Sequence, residues 1–327
     1  MYLCPKLRRM INSYTENRLE FIDITKGIGI FLVISSHAYG QFMSWALPFY
    51  IPIFYIVSGY CTSHPIRLRT KFKRLIIPYF FFSFILLSMN KSLVVLDYIG
   101  MLYSRWCIYP LGSDSNIYML RSGNGPLWFL TSMFVSYIFF YFIQRSCKPI
   151  LILFCYISIT YLISFLPILL PWSIDTAFLM ATFIYLGVII RKNHLLNRLN
   201  PKWLIGLTLL YIVFRYNCGY INLSVRIYGR SLITLIPTAV LGSAILMKIS
   251  YYIDGCFIGK IISMIGRHSL SIFCLHIPFI SMWKIIAGSL CLNLPPMLNG
   301  ILCIFYVLTI TYPISVFLDK YVLKRIT

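Results

Sequence analysis

Three ionisable side chains interrupt an otherwise apolar stretch, FIDITKGIGIFLVISSHAYG at residues 21–40: Asp23, Lys26 and His37. A charged side chain near a bilayer centre costs at least ~2.5–3.5 kcal/mol on insertion scales, so such residues in a would-be span point to function. Imidazole titrates near neutrality and serves as base, acid or nucleophile, which makes His37 the sharpest candidate. At roughly 100° per residue, the step from Lys26 to His37 is about three turns plus ~20°, so both project from one helix face. At ~1.5 Å rise per residue the imidazole lies ~16 Å further along than the amine, with Asp23 on nearly the same stripe. A histidine merely hydrogen-bonded between helices is the plainer alternative; the lysine on the same stripe weighs toward chemistry.

His276, in SLSIFCLHIPFI, is a second histidine inside an apolar run. It lies ~13 Å past the Arg267/His268 edge if the helix is regular, a depth similar to that of His37. Two imidazoles at one level could share a site, or His276 could orient its neighbour or simply pack. His268 and His194, at loop edges, and His64, just past the second apolar run, read as solvated. The run RLRTKFKR at 67–74 places Lys71 and Arg74 one turn apart at the mouth of the third apolar run. It could be only a topology anchor. Together with Lys26 it would also suit an anionic, phosphate-bearing ligand. No P-loop, GxGxxG or GxSxG is present, so nothing supports ATP hydrolysis, Rossmann-type cofactor binding or a serine elbow.

These residues need elements to hold them, and the composition says which. Of 327 residues, 59% are hydrophobic and only 11% charged, against about a quarter charged in soluble domains. An all-α, polytopic integral membrane protein follows, as one membrane domain over 1–327. The net charge of +21 does not point to nucleic acid, because the 29 Lys and Arg cluster between apolar runs as cytoplasmic loops do. The 10 Cys are scattered, with no CxxC pair and no metal spacing, so neither a disulfide framework nor a metal site is expected. The first apolar run is too long and too polar-marked for a signal peptide.

Cutting at charge clusters and Pro/Gly/Asn punctuation gives about ten transmembrane segments, near 21–40, 44–62, 75–90, 126–144, 148–167, 174–190, 202–216, 231–248, 268–287 and 298–318. The basic stretches at 6–9, 67–74, 145–148, 191–202, 248–268 and 320–325 then fall on one side, which puts both termini in the cytoplasm. Arg215, Arg226 and Arg230 run against that rule. The long connection 91–125, with Asp97, Arg105, Trp106, Asp114 and Arg121, is expected outside, either as a cap or as a substrate-binding loop.

The pattern R-x-x-x-I-D-x-x-K-G-I-G-I-x-x-V-x-x-x-H, carried by Arg18, Ile22, Asp23, Lys26, Gly27, Ile28, Gly29, Ile30, Val33 and His37, resembles the opening of the acyltransferase-3 membrane O-acyltransferases, especially their fucose-4-O-acetylase-like branch. PIFYIVSGY (52–60), KRLIIPY (73–79), GPLWFL (125–130), IDTAFLMATFIYLG (174–187) and IGRHSLSIFCLH (265–276) resemble further family segments in order. The branch often carries a histidine just before the second-span proline, where this chain has Tyr50. Its R-x-x-R pair is represented by Lys71 and Arg74.

The resemblance implies an O-acetyltransferase of the cell membrane. Acetyl-CoA would be the donor, and a hydroxyl of a surface glycan, such as an O-antigen-type polysaccharide or its lipid-linked precursor, the acceptor. It implies a catalytic role for His37 and donor binding by Lys26, Lys71 and Arg74; His276, by its matching depth, is expected to join His37 as catalytic, with site support from Asp23, Trp128 and Asp175. The expected partners are a carbohydrate acceptor and membrane lipids. A glycan flippase or small-solute transporter is the rival reading, in which the same ionisable residues line a path; neither an internal repeat nor paired broken spans favour it.

Overall fold

The computed structural model describes residues 19–89, 95–104, 125–166, 168–291 and 294–326. Arg18, the 6–9 cluster and Arg105, Trp106, Asp114 and Arg121 of the long connection lie outside them. The architecture is a helical bundle: α1 (Glu20–Ala38), α2 (Pro52–Tyr60), α3 (Leu68–Ser88), α4 (Val95–Tyr103), α5 (Trp128–Arg145), α6 (Pro149–Ile163) and α7 (Ile174–Lys192). Then follow α8 (Leu195–Arg198), α9 (Pro201–Cys218), a two-residue antiparallel hairpin (Ile221–Asn222 with Ile227–Tyr228), α10 (Leu232–Tyr252), α11 (Phe257–Arg267), α12 (Ser269–Ser289), α13 (Pro296–Leu318) and α14 (Lys324–Ile326).

Each of the ten expected segments overlaps one of these helices. Six are long and apolar enough to cross a membrane: α1, α5, α7, α10, α12 and α13. The other four differ for local reasons. α3 carries Lys71, Lys73 and Arg74 inside its first two turns, and α9 carries Lys202 and Arg215. α6 has 15 residues. The 44–62 segment is broken: a 3-10 helix covers Gly40–Ala46, and Pro52, whose fixed φ suits a first helical turn, starts a helix of only nine residues. At ~1.5 Å per residue that helix cannot span ~30 Å of hydrocarbon alone.

α1 sits at the centre, packed against α2, α10, α11, α12 and α13. Between helices in lipid there is little hydrophobic driving force, so close approach through small residues holds them together. A Cβ on Gly59 of α2 would lie 1.8 Å from the Ile184 carbonyl oxygen of α7, and one on Gly187 of α7 would lie 2.0 Å from the Ile56 oxygen. Any larger residue at either place would force α2 and α7 apart. The 248–268 stretch, expected as a basic loop, instead contains α11, whose buried face of Gly259, Ser263 and Gly266 runs along α1 while Phe257, Ile258, Ile261 and Met264 stay exposed.

Of the three arginines that ran against the charge rule, Arg230 is exposed and the other two are tied to backbone carbonyls. Arg226 is 5% exposed and donates from its two terminal nitrogens to the carbonyls of Ile163 and Leu166, both at 2.7 Å. Arg215 donates to the Ser44 and Gly219 carbonyls. The described start of the long connection is docked on the bundle: in α4 the Met101 carbonyl accepts from Tyr79 at 2.5 Å, and that of Leu102 accepts from Trp172 at 2.7 Å.

Candidate active site

Where α1 begins, the sequence places Asp23 and Lys26 on one helical face, and the fold brings the mouth of α3 and the junction of α11 and α12 to that face. The result is a cavity of about 940 Å³. Lys26, Arg67, Lys71, Arg74 and Arg267 all line it, and Asp23 is the one carboxylate among its described residues. The three cations expected to act together therefore share one space. Asp23, 3% exposed, holds Lys26 at 3.5 Å and Arg267 at 3.8 Å. Gly266 makes this junction possible, since a Cβ there would meet the Asp23 carbonyl oxygen at 1.7 Å. Lys71 is aimed by Tyr137 of α5: its ammonium donates to the phenol oxygen at 2.9 Å and lies 4.0 Å from the ring centre. The same phenol is hydrogen-bonded to Ser58 of α2. Such a concentration of donors matches phosphate, with Arg offering a planar fork and Lys a point charge.

Eleven residues along the unbroken α1, ~16 Å from Lys26, stands His37. Its ring centre is 5.2 Å from that of His276 on α12, so the two histidines meet at one level. They differ in environment: His37 is exposed at the end of α1, whereas His276 is fully buried. His276 Nδ1 lies 2.6 Å from the carbonyl oxygen of Phe273. A carbonyl only accepts, so Nδ1 carries the proton and Nε2 presents its lone pair. That Nε2 has no hydrogen-bond partner among the described residues. A neutral imidazole with a free lone pair beside an accessible one is equipped for proton transfer or acyl transfer.

Two of the residues expected to support the site, Asp175 and Trp128, stand outside the cavity lining. Asp175, fully buried at the start of α7, accepts from the backbone N–H of Leu170 and of Thr176 and lies 3.4 Å from Arg226 Nε. This ion pair ties the α6–α7 turn to the hairpin, and neither residue lines the basic cavity. Trp128 is buried at the head of α5, one residue before Phe129, which does line the cavity. His64 lines the cavity too, and His268 is not simply solvated, since its Nδ1 lies 2.5 Å from Asp319 Oδ2. Arg67 and Arg267 looked like loop-edge charges, and Tyr137 lay unmarked in an apolar run; only Arg67, inside the 67–74 cluster, carried a usable signal.

Comparison with curated proteins and with solved structures returns no match to this chain. A family model described as an acyltransferase domain matches residues 19–316, which takes in α1 through nearly all of α13 and so both the basic cavity and the histidine pair. With several helices fit to cross a membrane and that match over most of its length, the chain belongs to the acyltransferase-3 family of multi-pass membrane proteins.

Proposed function

We propose that this chain is an O-acetyltransferase of the cell membrane that takes acetyl from cytoplasmic acetyl-CoA and transfers it to a hydroxyl of a surface polysaccharide or of its lipid-linked precursor. The observation that carries this reading is the division of labour along α1: five cations around one cavity at its start, and two imidazoles 5.2 Å apart at its end. Phosphates of the donor pair with Lys26, Lys71 and Arg74, with Arg67 and Arg267 beside them. The positive-inside rule supports a cytoplasmic side for that basic end and for both termini.

A sugar hydroxyl is a weak nucleophile until a base takes its proton. In the direct route, a neutral imidazole of the pair accepts that proton as the oxygen attacks the thioester carbonyl. The C–S bond then breaks, and the departing CoA thiolate receives the proton. In the two-step route, His37 attacks first, CoA leaves as thiol, and the hydroxyl then opens the acetyl-imidazole. His276, with its fixed tautomer, offers its Nε2 lone pair to accept from and so orient the exposed ring in either route. NMR of surface glycan from cells with and without the gene tests the proposal. The expected result is glycan of unchanged amount that lacks its O-acetyl signals; loss of the glycan from the surface altogether would instead indicate a flippase.

A further inference from the structure

We propose that a slot between α8, α9 and α10 holds one acyl chain of an anionic phospholipid, with Arg198 at the rim pairing with the lipid phosphate. The slot has a volume of about 350 Å³. That falls within the ~300–1,000 Å³ typical of small-molecule sites. Val240, Leu241 and Ala244 of α10 form one wall, and Leu196, Leu199 and Leu207 face them from α8 and α9. Arg198 is the one charged residue among the described lining. No residue is shared with the lining of the donor cavity, so this site stands apart from the donor reading above.

Lys248, one turn past Ala244 on α10, is 4% exposed and donates to the Leu196 carbonyl at 2.7 Å. A buried ammonium needs such an acceptor, and this bond clamps α8 onto α10. Arg198, two residues beyond Leu196, is left exposed at the rim. It makes no ion pair or side-chain hydrogen bond among the described residues, and neither do the exposed Lys192 and Lys202 on either side of it in the chain. No carboxylate lies near in sequence to balance them, since residues 191–253 contain neither Asp nor Glu. The slot therefore calls for an anion, and its walls call for hydrocarbon attached to that anion. Its open side faces lipid: Trp203 is 64% exposed there, and Ile205, Leu209 and Val213 continue the exposed apolar face along α9. Asn200 accepts from the Trp203 N–H at 3.0 Å, which fixes the start of α9 and keeps this indole at the level of the cations, where interfacial aromatic residues sit. Leu207 is six residues past Pro201, so the apolar walls run ~9 Å inward from the charged rim. A second copy meeting this face across a two-fold axis would instead bring like charges together.

The test is native mass spectrometry of the purified full chain, titrated with phosphatidylglycerol or phosphatidylcholine of identical acyl chains. Wild type should form a one-lipid adduct at a phosphatidylglycerol concentration at least ~tenfold below that needed with phosphatidylcholine. Arg198→Gln should narrow this preference about fivefold, the usual worth of one basic residue toward anionic lipid. Lys148→Gln, which removes an exposed cation at the α5–α6 turn, should leave it unchanged. Ala244→Phe, which fills the slot, should weaken the adduct with both lipids. Equal retention of the two lipids by wild type overturns the inference, as does an undiminished preference in Arg198→Gln. An equal loss in Lys148→Gln overturns it too, because a diffuse basic surface would then account for the preference. A dimer that Ala244→Phe dissociates would give the slot to a second copy and overturn it as well. Arg198 is exposed, so its variant keeps the fold and the refutation does not depend on Ala244→Phe.

Discussion

The ring centres of His37 and His276, residues from the first and the penultimate long helices, lie 5.2 Å apart, and only His37 is open to the surroundings. The buried partner has its proton placed on Nδ1 by the Phe273 carbonyl at 2.6 Å. In the proposed reaction the two imidazoles do different work: the accessible ring meets the reacting groups, and the enclosed one positions it.

Replacing His37 with Ala should therefore lower O-acetylation by at least ~10²–10⁴-fold, the usual worth of a general acid–base group, while leaving insertion and abundance unchanged. His276→Asn should lower it less. Glycan NMR alongside immunoblotting of membranes gives both readings; near-normal acetylation in a well-expressed His37→Ala protein contradicts the assignment.

Lys26, Lys71 and Arg74 line one cavity, and a donor phosphate held there, as proposed, would make charge-assisted contacts. Lys26→Gln and Arg74→Gln should each weaken acetyl-CoA binding by ~1.5–3 kcal/mol, roughly ten- to a hundredfold. Lys26→Arg, which keeps the charge, should be milder. Calorimetry on purified protein decides; unchanged affinity in both glutamine variants would leave these cations as topology anchors only.

Tyr137 gives a sharper test of how Lys71 is aimed. Tyr137→Phe keeps the ring beneath the ammonium but removes the oxygen that accepts from Lys71 at 2.9 Å and pairs with Ser58. Losing one such bond is worth about 1 kcal/mol, so donor affinity should fall ~fivefold with little change in thermal stability. A large stability loss with no affinity change would make Tyr137 a packing residue.

Asp175 and Arg226 should behave in the opposite way. They are a buried pair remote from the cavity, and removing one partner leaves an uncompensated charge, a loss of ~3–5 kcal/mol. Arg226→Met alone should therefore cut the yield of folded protein, and Arg226→Met with Asp175→Asn should recover part of it. Donor affinity of the protein that does fold should stay near wild type.

Orientation is testable by labelling. In a chain freed of its 10 native cysteines, a cysteine at position 70 should react only from the cytoplasm, and one in the 91–125 connection only from outside. Outside labelling at position 70 would reverse the side from which the donor arrives.

By itself the sequence determined the class of protein, the apolar segments and the stripe that joins Asp23, Lys26 and His37. Hydrophobicity and helical period are local properties, and in lipid a spanning segment has few options besides an α-helix. The lysine and arginine near the mouth of α3 were legible for the same reason. The tertiary structure alone decided which distant segments meet. That His276 reaches His37, that Arg267 turns into the cavity, and that Tyr137 rather than a charged residue aims Lys71 all depend on helix crossings set by where backbones can touch. Those crossings run through Gly59, Gly187 and Gly266, whose significance appears only once a neighbouring carbonyl is seen within 2.0 Å of a would-be Cβ. Asp175 shows the converse. Its place in a family-like segment suggested a supporting residue, and only the fold shows its partner, a buried arginine, since an uncompensated charge inside the protein costs more than the pair does.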